Sequence, residues 1–595
     1  MAFKNYILVC GGTGCESSRS DLIYRNLIEE AKAQGVADEV QVIKTGCFGF
    51  CEQGPIVKVL PEDSFYVQVK PEDAKEIISE HCIKGRPIVR LEYGHVEKKA
   101  YEEVEDIKFY QKQERIVLRN CGSIDPENID EYIARDGYKA LEKALFEMSG
   151  DDIINELKIA GLRGRGGAGF PTWMKWNFTK QAEGDVKYVV CNADEGDPGA
   201  YMDRSTLEGD PHSVLEAMTI CGKAIGAHQG FIYIRAEYPL AIHRLEVAMK
   251  QAREYGLLGK DILGSGFDYD IEIRLGAGAF VCGEETALLQ SIEGHRGMPQ
   301  PRPPFPAVKG LWGKPTVINN VETWANIPVI ITKGGKWFSQ IGTEDSHGTK
   351  VFALTGKICN SGLVEVPMGT TLREIVFDIG GGIANGKKFK AVQPGGPSGG
   401  VITEENLDTP IDFGSLQRIG SMMGSGGMIV MNEDDCIVDV AKFYLNFTVD
   451  ESCGKCAPCR IGGKSLYNLL EKITQGKGTQ EDVEQMRTIA HAMQKGSLCA
   501  LGQTAPNPVL STLRYFPEEY KAHIEDKKCP SGKCKKLIQY QIDPSKCIGC
   551  TACARKCPVG AITGEVRKPH TINSQVCIKC GVCKDTCKFS AISVH

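Results

Sequence analysis

Near its C-terminus the chain reads Cys547-Ile-Gly-Cys550-Thr-Ala-Cys553-Ala-Arg-Lys-Cys557-Pro558, and then Cys577-Ile-Lys-Cys580-Gly-Val-Cys583-Lys-Asp-Thr-Cys587. Both stretches follow the spacing Cys-x2-Cys-x2-Cys-x3-Cys, in which three thiolates bind one [4Fe-4S] cubane and the fourth binds a neighbouring cubane. The spacing predicts one cluster on Cys547, Cys550, Cys553 and Cys587, and a second on Cys577, Cys580, Cys583 and Cys557. Two zinc sites are the alternative, but zinc ribbons use pairs of cysteines.

A second cysteine group precedes this tail. It reads Cys453-Gly-Lys-Cys456-Ala-Pro-Cys459, and Cys499 follows about forty residues later. Three close thiolates and one remote thiolate predict a further [4Fe-4S] cluster, with zinc as the alternative on ligand type. The apolar residues between them, from Lys464 onward, recur at helical spacing, which predicts a helical bundle around the cluster.

The third group is N-terminal and consists of Cys10-x4-Cys15 and Cys47-x3-Cys51. Hydrophobic patterning predicts a strand at Tyr6–Val9, a helix over residues 20–34 and a strand at Val40–Ile43, so both pairs follow strand ends. This arrangement resembles the thioredoxin-like [2Fe-2S] ferredoxins, in which two pairs of thiolates hold two irons. A redox dithiol is the rival interpretation, but that chemistry prefers Cys-x-x-Cys.

The remaining cysteines divide into a short knuckle and isolated residues. Cys529 and Cys534 resemble half of a structural zinc site, which we complete with His570; His523 is the other histidine nearby. Spacing does not identify the remaining ligands. The isolated cysteines are expected to be ordinary buried thiols: Cys82, Cys121, Cys191, Cys221, Cys282, Cys359 and Cys436.

Length and composition limit the class of protein. The chain has 595 residues, of which 42% are hydrophobic and 25% charged, as in a globular protein of several domains. Twenty-five cysteines without an export signal indicate a reducing compartment, so we expect a cytoplasmic protein. The net charge of −6 gives no indication of nucleic-acid binding, and the sequence contains no apolar run of the ~20 residues that span a membrane.

The centre of the chain contains a glycine-rich loop, Gly161-Leu-Arg-Gly-Arg-Gly-Gly-Ala-Gly-Phe-Pro171. Such a loop exposes backbone N–H groups to a phosphate, and Arg165 and Lys175 would supply positive charge. An acidic loop follows an apolar strand at 189–199, and two asparagines follow residues 315–318. Glu284 and Glu285 open a predicted helix, where they could bind ribose hydroxyls or simply stabilise the helix N-terminus.

Together these segments resemble the NADH- and FMN-binding flavoprotein subunit of respiratory complex I and its soluble relatives, over about residues 115–525. The resemblance implies that FMN contacts Gly164, Arg165, Gly166, Lys175, Asn192, Asp194, Glu195, Gly283, Glu284, Asn319, Asn320 and Thr323. It implies that the dinucleotide lies against Phe170, Phe178, Asp197, Glu285 and Phe305. Asp197 stands where the complex I members commonly have Glu, which leaves NAD versus NADP open.

The flanking cluster modules narrow the resemblance to the beta subunit of electron-bifurcating NAD(P)-dependent [FeFe] hydrogenases. It implies a multidomain α/β and α+β chain. The expected domains are a thioredoxin-like [2Fe-2S] domain at 1–85, a linker at 86–115, a Rossmann-like FMN/NAD(P) domain at 116–340, a β-grasp (SLBB) domain at 341–430, a helical-bundle [4Fe-4S] domain at 431–525, and a zinc knuckle with a two-cluster bacterial ferredoxin domain at 526–595.

The implied function is that of an oxidoreductase subunit with diaphorase activity. FMN would exchange hydride with NAD(H) and single electrons with one [2Fe-2S] and three [4Fe-4S] clusters. The implied partners are an [FeFe]-hydrogenase catalytic subunit, a small thioredoxin-like [2Fe-2S] subunit and soluble ferredoxin, in a hetero-oligomer. A bifurcating formate dehydrogenase, an NADP-reducing hydrogenase and a non-catalytic electron-transfer scaffold are the alternatives.

Charge and cysteine usage bear on these partners. Residues 521–595 contain 14 Lys and Arg but 5 Asp and Glu, a net of +9 that suits an acidic electron carrier or offsets anionic cubanes. No further cysteine-rich motif is left for a hydrogen-activating iron centre. Hydrogen chemistry is therefore expected on another subunit.

Overall fold

A computed structural model describes residues 3–94 and 107–594, and the chain divides into two units, Met1–Val430 and Met431–His595. The predicted linker at 86–115 falls partly on residues 95–106, which lie outside the described residues. Three four-stranded sheets belong to the first unit, whereas the second is mainly helical.

The N-terminal sheet has the strand order β2-β1-β3-β4. Its strands are β1 (Asn5–Cys10), β2 (Val40–Thr45), β3 (Val57–Leu60) and β4 (Ser64–Tyr66). The helix Ser20–Ala33 connects β1 to the parallel strand β2 and buries Ile23 and Leu27 against the sheet core. These elements confirm the predicted strand–helix–strand order. Because β1 and β2 are parallel, their cysteine-bearing ends lie at the same sheet edge.

The second sheet is entirely parallel and has the order β7-β6-β5-β8. Its strands are β5 (Tyr188–Ala193), β6 (Gln229–Arg235), β7 (Asp270–Gly276) and β8 (Thr316–Asn320). The helices of this region with eight or more residues are Lys139–Phe146, Gly150–Ala160, Thr172–Gln181, Met202–Gly209, Pro211–Ile225, Pro239–Glu254, Glu285–Ile292 and Val321–Lys333. The strand order reverses at β5, between β6 and β8, and ligands of such sheets bind outside the carboxyl ends of the strands at this point.

The third sheet has the order β12-β11-β14-β13. After a short hairpin of β9 (Gly342–Thr343) and β10 (Ser346–His347), its strands are β11 (Thr349–Gly356), β12 (Gly362–Pro367), β13 (Phe389–Pro394) and β14 (Gly427–Asn432). β11 pairs antiparallel with β12 and parallel with β14. Its buried residues share one apolar cluster with the cysteine loops of the N-terminal domain, including Phe48 and Phe50.

The second unit begins with helices and ends with two small two-stranded sheets. Its helices are Ile437–Asp450, Gly463–Thr474, Gln480–Gly496, Ala500–Thr504, Asn507–Tyr515 and Pro517–Ile524, which enclose one apolar core. The sheets pair β15 (Tyr540–Ile542) with β18 (Ile592–Val594), and β16 (Ile562–Thr563) with β17 (Thr571–Ile572), antiparallel in both cases. Two short helices, Ala552–Lys556 and Val582–Thr586, each contain the third cysteine of a tail motif.

None of the helices in residues 3–94 and 107–594 combines the length and the apolar composition that a membrane span needs.

Candidate flavin, nucleotide and metal sites

The glycine-rich loop lies between the helices Gly150–Ala160 and Thr172–Gln181 and approaches two other backbone segments closely. A Cβ at Gly166 would lie 3.2 Å from the Asn320 Cβ, and one at Gly167, whose φ is +121°, would lie 3.2 Å from the Gly424 backbone. A side chain at either position would therefore crowd the crevice at the end of β8. This closeness explains why both positions are glycine.

Arg165 differs from its sequence-based prediction. Its guanidinium donates to the carbonyl oxygens of Thr349 (2.9 Å), Arg163 (2.8 Å) and His347 (2.6 Å), and the residue is 1% exposed. Burial lowers the pKa of this guanidinium to about 10. The expected role of its charge on a phosphate is thus corrected: the side chain attaches the loop to the third sheet.

Lys175 faces the carboxylate that was expected at the dinucleotide. Its ammonium group lies 3.3 Å from Glu285 and 3.2 Å from the carbonyl oxygen of Ile318, which it can reach as a donor. Arg302 binds the same carboxylate at 2.6 Å. Burial alone would raise the pKa of Glu285, but these two cations outweigh it and lower the pKa. Among the described contacts, Glu285 is the one carboxylate that pairs with Lys175, whose ammonium group lies beside the crevice.

Glu284 stabilises a helix N-terminus. Its carboxylate accepts the backbone N–H groups of Thr286 (2.9 Å) and Ala287 (3.0 Å) as the cap of Glu285–Ile292. Of the two interpretations open for this residue, the cap is the one the structure contains. The preceding Gly283 accepts, at its carbonyl oxygen, the side-chain amide of Asn192 at 2.9 Å.

The acidic loop after β5 contains two carboxyl groups whose pKa is raised by burial. Burial raises the pKa of Glu195 to about 7, although its carboxylate accepts the N–H groups of Asp203 and Arg204, 3.1 Å each. Burial also raises the pKa of Asp197 to about 6, and the Ser425 hydroxyl donates to this carboxylate. Asp194 lies 3.5 Å from the Arg235 guanidinium.

Residues at the end of β8 are arranged by side-chain hydrogen bonds. Asn319 accepts from the Trp176 indole N–H at 3.1 Å, and Asn320 donates to Asp203 at 2.5 Å while capping Val321–Lys333. Thr323 is fully buried and accepts the N–H of Arg165 at 2.8 Å. The structure therefore brings the glycine loop, β5 and β8 together at the strand-order reversal.

Three aromatic side chains expected at the dinucleotide are exposed. Phe170 is 42%, Phe178 44% and Phe305 55% exposed. Large exposed aromatic rings are available to stack on a planar base. The Arg302 guanidinium also lies 5.9 Å from the Phe305 ring centre, so a cation flanks one of these rings.

Sequence reasoning missed two further glycine-rich loops at this crevice. A Cβ at Gly396 would lie 3.0 Å from the Asp197 carboxyl carbon, and one at Gly395 would lie 2.7 Å from the carbonyl oxygen of Met422. The second loop contains Ser425, which binds Asp197. The repeated glycines at 395–400 and 424–427 are the signal that could have revealed them.

The four N-terminal cysteines meet at one end of their sheet. The Sγ atoms of Cys47 and Cys51 lie 3.8 Å apart, a Cβ at Gly12 would lie 2.8 Å from Cys47, and one at Gly54 would lie 2.7 Å from the Cys15 sulfur. Cys10 follows in the same buried group, since its thiol interacts with those of Cys15 and Cys47. Four converging thiols fit a [2Fe-2S] cluster.

The tail cysteines line two cavities in the order expected for crossed motifs. Cys557 lies around one cavity with Cys577, Cys580 and Cys583. Cys587 lies around the other with Cys547, Cys550 and Cys553. Each cavity is otherwise lined largely by apolar side chains, which suits a cubane held by four thiolates.

The bundle cysteines occupy the loop before Gly463–Thr474 and the start of Ala500–Thr504. The Ser452 hydroxyl lies 3.3 Å from the Cys459 sulfur. A Cβ at Gly502 would lie 2.8 Å from the Cys459 Cβ, so the helix that follows Cys499 packs directly on this loop. Cys453 and Cys456 lie near enough to Cys459 to raise its thiol pKa, after burial as the main cause.

A separate group in the second unit has the donors of a structural zinc site. Cys436, His523, Cys529 and Cys534 are buried, and their ligand atoms all lie within 4.8 Å of one another. The His523 Nε2 lies 3.4 Å from the sulfurs of both Cys436 and Cys534, and those sulfurs are 3.7 Å apart. The His523 Nδ1 donates to the Glu519 carbonyl at 2.7 Å, which directs Nε2 toward the group.

This group corrects two sequence-based assignments. His570 lies in the C-terminal tail, with its backbone N–H 3.5 Å from the Cys547 sulfur, so His523 takes the place we gave to it. Cys436, expected to be an ordinary thiol, supplies the fourth donor. Cys359, also expected to be buried, is exposed.

Comparisons with known families match four segments of the chain. Residues 2–81 match the thioredoxin-like [2Fe-2S] ferredoxin family, and residues 157–329 match the Nuo51 FMN-binding domain. Residues 439–523 match the NADH-ubiquinone oxidoreductase-F iron-sulfur binding region, and residues 540–563 match a 4Fe-4S binding domain. These matches support FMN binding and both cluster types.

Similar whole proteins are oxidoreductase subunits. The chain is 61% identical to the NADP-reducing hydrogenase subunit HndC of Solidesulfovibrio fructosivorans, over 81% of this chain and 98% of that protein. It is 47% identical to the F 2 subunit of NADH-quinone oxidoreductase in Rhizobium meliloti, over 70% of this chain and 99% of that protein. A crystal structure of an NAD+-reducing [NiFe]-hydrogenase in the H2-reduced state matches with a TM-score of 0.62 and 29% identity, covering 88% of this chain and 86% of that one.

Proposed function

We propose that this chain is the NAD(P)-binding flavoprotein of a bifurcating hydrogenase complex. It belongs to the family of the NADH-quinone oxidoreductase F subunits and the hydrogenase subunit HndC. It is accordingly an FMN- and Fe–S-dependent oxidoreductase subunit. Bound FMN supplies the ability to exchange two electrons as hydride and to pass them on singly. The proposal also includes a cytoplasmic location, supported by cysteine spacings that suit metal clusters rather than disulfides.

The observation that supports the flavin site most strongly is the crevice at the carboxyl ends of β5 and β8. The glycine loop supplies exposed backbone, and Lys175 supplies a cation at its edge. In the proposed arrangement, Asn192 and Asn320 orient the flavin edge, while the exposed rings of Phe170, Phe178 and Phe305 receive the dinucleotide. Arg165, Glu284 and Thr323 act through the backbone that they hold in place.

The test is flavin retention in the full-length chain. Lys175→Ala should lower FMN content and NADH-dependent dye reduction together, because the cation at the crevice is lost. Lys180→Ala is the matched control, since Lys180 lies on the same helix but pairs with Asp151 at 2.6 Å. Equal FMN content in Lys175→Ala and the control would refute the assignment.

For the metal groups, we propose a [2Fe-2S] cluster on the four N-terminal cysteines, one [4Fe-4S] cluster in the bundle and two in the tail with crossed fourth ligands. The zinc proposal uses Cys436, His523, Cys529 and Cys534. Its support is geometric: tetrahedral zinc with Zn–S of about 2.3 Å and Zn–N of about 2.0 Å places sulfurs about 3.8 Å apart and nitrogen about 3.5 Å from sulfur. The observed separations of 3.7 and 3.4 Å fit these values.

The proposed partners are an [FeFe]-hydrogenase catalytic subunit, a small thioredoxin-like [2Fe-2S] subunit and soluble ferredoxin. The basic tail supports a ferredoxin-facing role for residues 540–595. A truncation should start at 540, because Leu537 and Ile538 belong to the bundle core.

In the purified native complex, hydrogen oxidation should require NAD(P)+ and oxidised ferredoxin together. Truncation at 540 should abolish the ferredoxin-dependent reaction and spare dye reduction by NADH. Full coupling in the truncated complex would refute the branch assignment, and co-purification of a formate dehydrogenase would replace the hydrogenase partner.

A further inference from the structure

The loops that contain the N-terminal cysteines also form the contact with the flavin-binding region of the first unit. The Thr13 N–H donates to the Glu208 carboxylate at 3.0 Å, and Arg244 donates to the carbonyl oxygen of Gly11 at 3.3 Å. A Cβ at Gly46 would overlap the Gly209 Cα. The cluster loops therefore pack backbone to backbone against the helix Met202–Gly209.

Within this contact, one side chain reaches a ligand sulfur. The Tyr201 hydroxyl donates to the Cys51 Sγ at 3.6 Å. Cys51 is the cysteine of this group that is only partly buried; the other three are 1–7% exposed. The Arg204 guanidinium lies 5.7 Å from the Tyr201 ring centre, and its charge also acts on the Cys51 thiol. The flavin-binding region thus contributes a hydrogen-bond donor and a positive charge to the most open side of the cysteine group.

The same segment contacts the flavin crevice on its other side. Asp203 and Arg204, which follow Tyr201 closely, donate their backbone N–H groups to Glu195. Asp203 also accepts from Asn320. Tyr201 is therefore held by residues that line the proposed FMN site, and its hydroxyl is directed at a metal ligand of the neighbouring domain.

We propose that Tyr201 sets the reduction potential of the N-terminal [2Fe-2S] cluster as a positioning residue that acts through Cys51. A hydrogen bond to a thiolate ligand withdraws electron density from sulfur and favours the reduced, more negative cluster. The Arg204 charge acts in the same direction. The potential is consequently higher than that of the thioredoxin-like domain without its contact to the flavin-binding region. This inference rests on the proposed assignment of Cys51 as a ligand.

The test is a redox titration of the full-length chain, followed by EPR at temperatures where [2Fe-2S]+ is resolved from [4Fe-4S]+. Tyr201→Phe retains the ring and should shift the midpoint potential of the [2Fe-2S] signal to more negative values at unchanged cluster content. In D2O, pulsed EPR should also lose a deuteron coupling that the parent protein shows.

The matched control is Tyr110→Phe, which removes a hydroxyl near the same cysteine group. The Tyr110 hydroxyl donates to the Phe48 carbonyl at 3.1 Å rather than to sulfur, so its loss should leave the midpoint in place. An unchanged midpoint in Tyr201→Phe, or an equal shift in Tyr110→Phe, would overturn the inference about Tyr201. Cys51→Ser examines the ligand assignment separately: it should lose the native [2Fe-2S] signal, and a native signal there would overturn that assignment.

Discussion

Changing Cys436 to Ser should remove zinc from the second unit without removing its iron. Cys436 lies directly before the helix Ile437–Asp450, 98 residues from Cys534, and contributes one of four buried donors. Serine retains the size of the side chain but is a poor zinc ligand at neutral pH. The remaining donors, His523, Cys529 and Cys534, would leave the fourth position to water.

The magnitude follows from how completely the site is preformed. Among Cys436, His523 and Cys534, the separations of 3.7 Å between sulfurs and 3.4 Å between nitrogen and sulfur are within about 0.1 Å of those in tetrahedral zinc, so these three donors require little rearrangement. Loss of a partner that only hydrogen-bonds a ligand costs roughly 10–100-fold in metal affinity. Loss of a direct ligand should lower the zinc affinity by more than a hundredfold, which corresponds to more than about 2.8 kcal/mol of binding free energy.

The assay is elemental analysis of zinc and iron per chain, before and after dialysis against a chelator. The parent protein should retain one zinc, and Cys436→Ser should lose it at chelator concentrations at least a hundredfold lower. Two controls separate the site from general effects: Cys221→Ser alters a buried thiol of the first unit, and His570→Gln alters the histidine of the sequence-based assignment. Retention of zinc in Cys436→Ser, or its loss in His570→Gln, would refute the reasoning.

Three further outcomes are expected. Cys557→Ser should alter the EPR signal of the cluster held by Cys577, Cys580 and Cys583; loss confined to the other tail cluster would contradict crossed ligation. Lys350→Met should destabilise the flavin-binding region by about 3–5 kcal/mol, because it leaves the buried Glu322 carboxylate without its cation. Denaturant titrations followed by FMN release measure this change. The double variant, Lys350→Met with Glu322→Leu, should recover most of the lost stability, and an unaffected single variant would contradict the role of this ion pair. Finally, burial raises the pKa of Asp197 to about 6, so its charge is lost as the pH falls through 6, and kcat/KM for NADH should inflect there. Ser425→Ala removes a hydrogen bond to the charged carboxylate and should therefore move the inflection to higher pH. An inflection that does not move would contradict this contact.

Much of the cysteine chemistry could be predicted because its ligands are close in sequence. Three thiolates separated by two residues each must lie on one turn, so the motifs at 453–459, 547–553 and 577–583 define their sites locally. Cys436 could not be found this way. It is alone in sequence, and folding of the helical bundle is what brings it to Cys529 and Cys534.

The flavin crevice shows the same division between local and distant information. Glu284 caps the helix Glu285–Ile292, and its place directly before that helix indicates this role from local sequence alone. Arg165 is different: its location in a glycine loop suggested a phosphate ligand, but carbonyl groups near 347–349 supply the acceptors that turn it inward. Those carbonyls lie about 180 residues away, where no local pattern reports them.

The proposed zinc group also constrains the order in which the second unit can mature. Its outermost donors, Cys436 and Cys534, enclose all four bundle cysteines, from Cys453 to Cys499, in one chain segment. Cross-linking a loop of roughly 100 residues removes about 4.7 kcal/mol of chain entropy from the open state in the loop-closure treatment. Zinc bound there would therefore confine the cluster-free segment before iron arrives, and the newly made polypeptide can close that ring only after residue 534 has been synthesised.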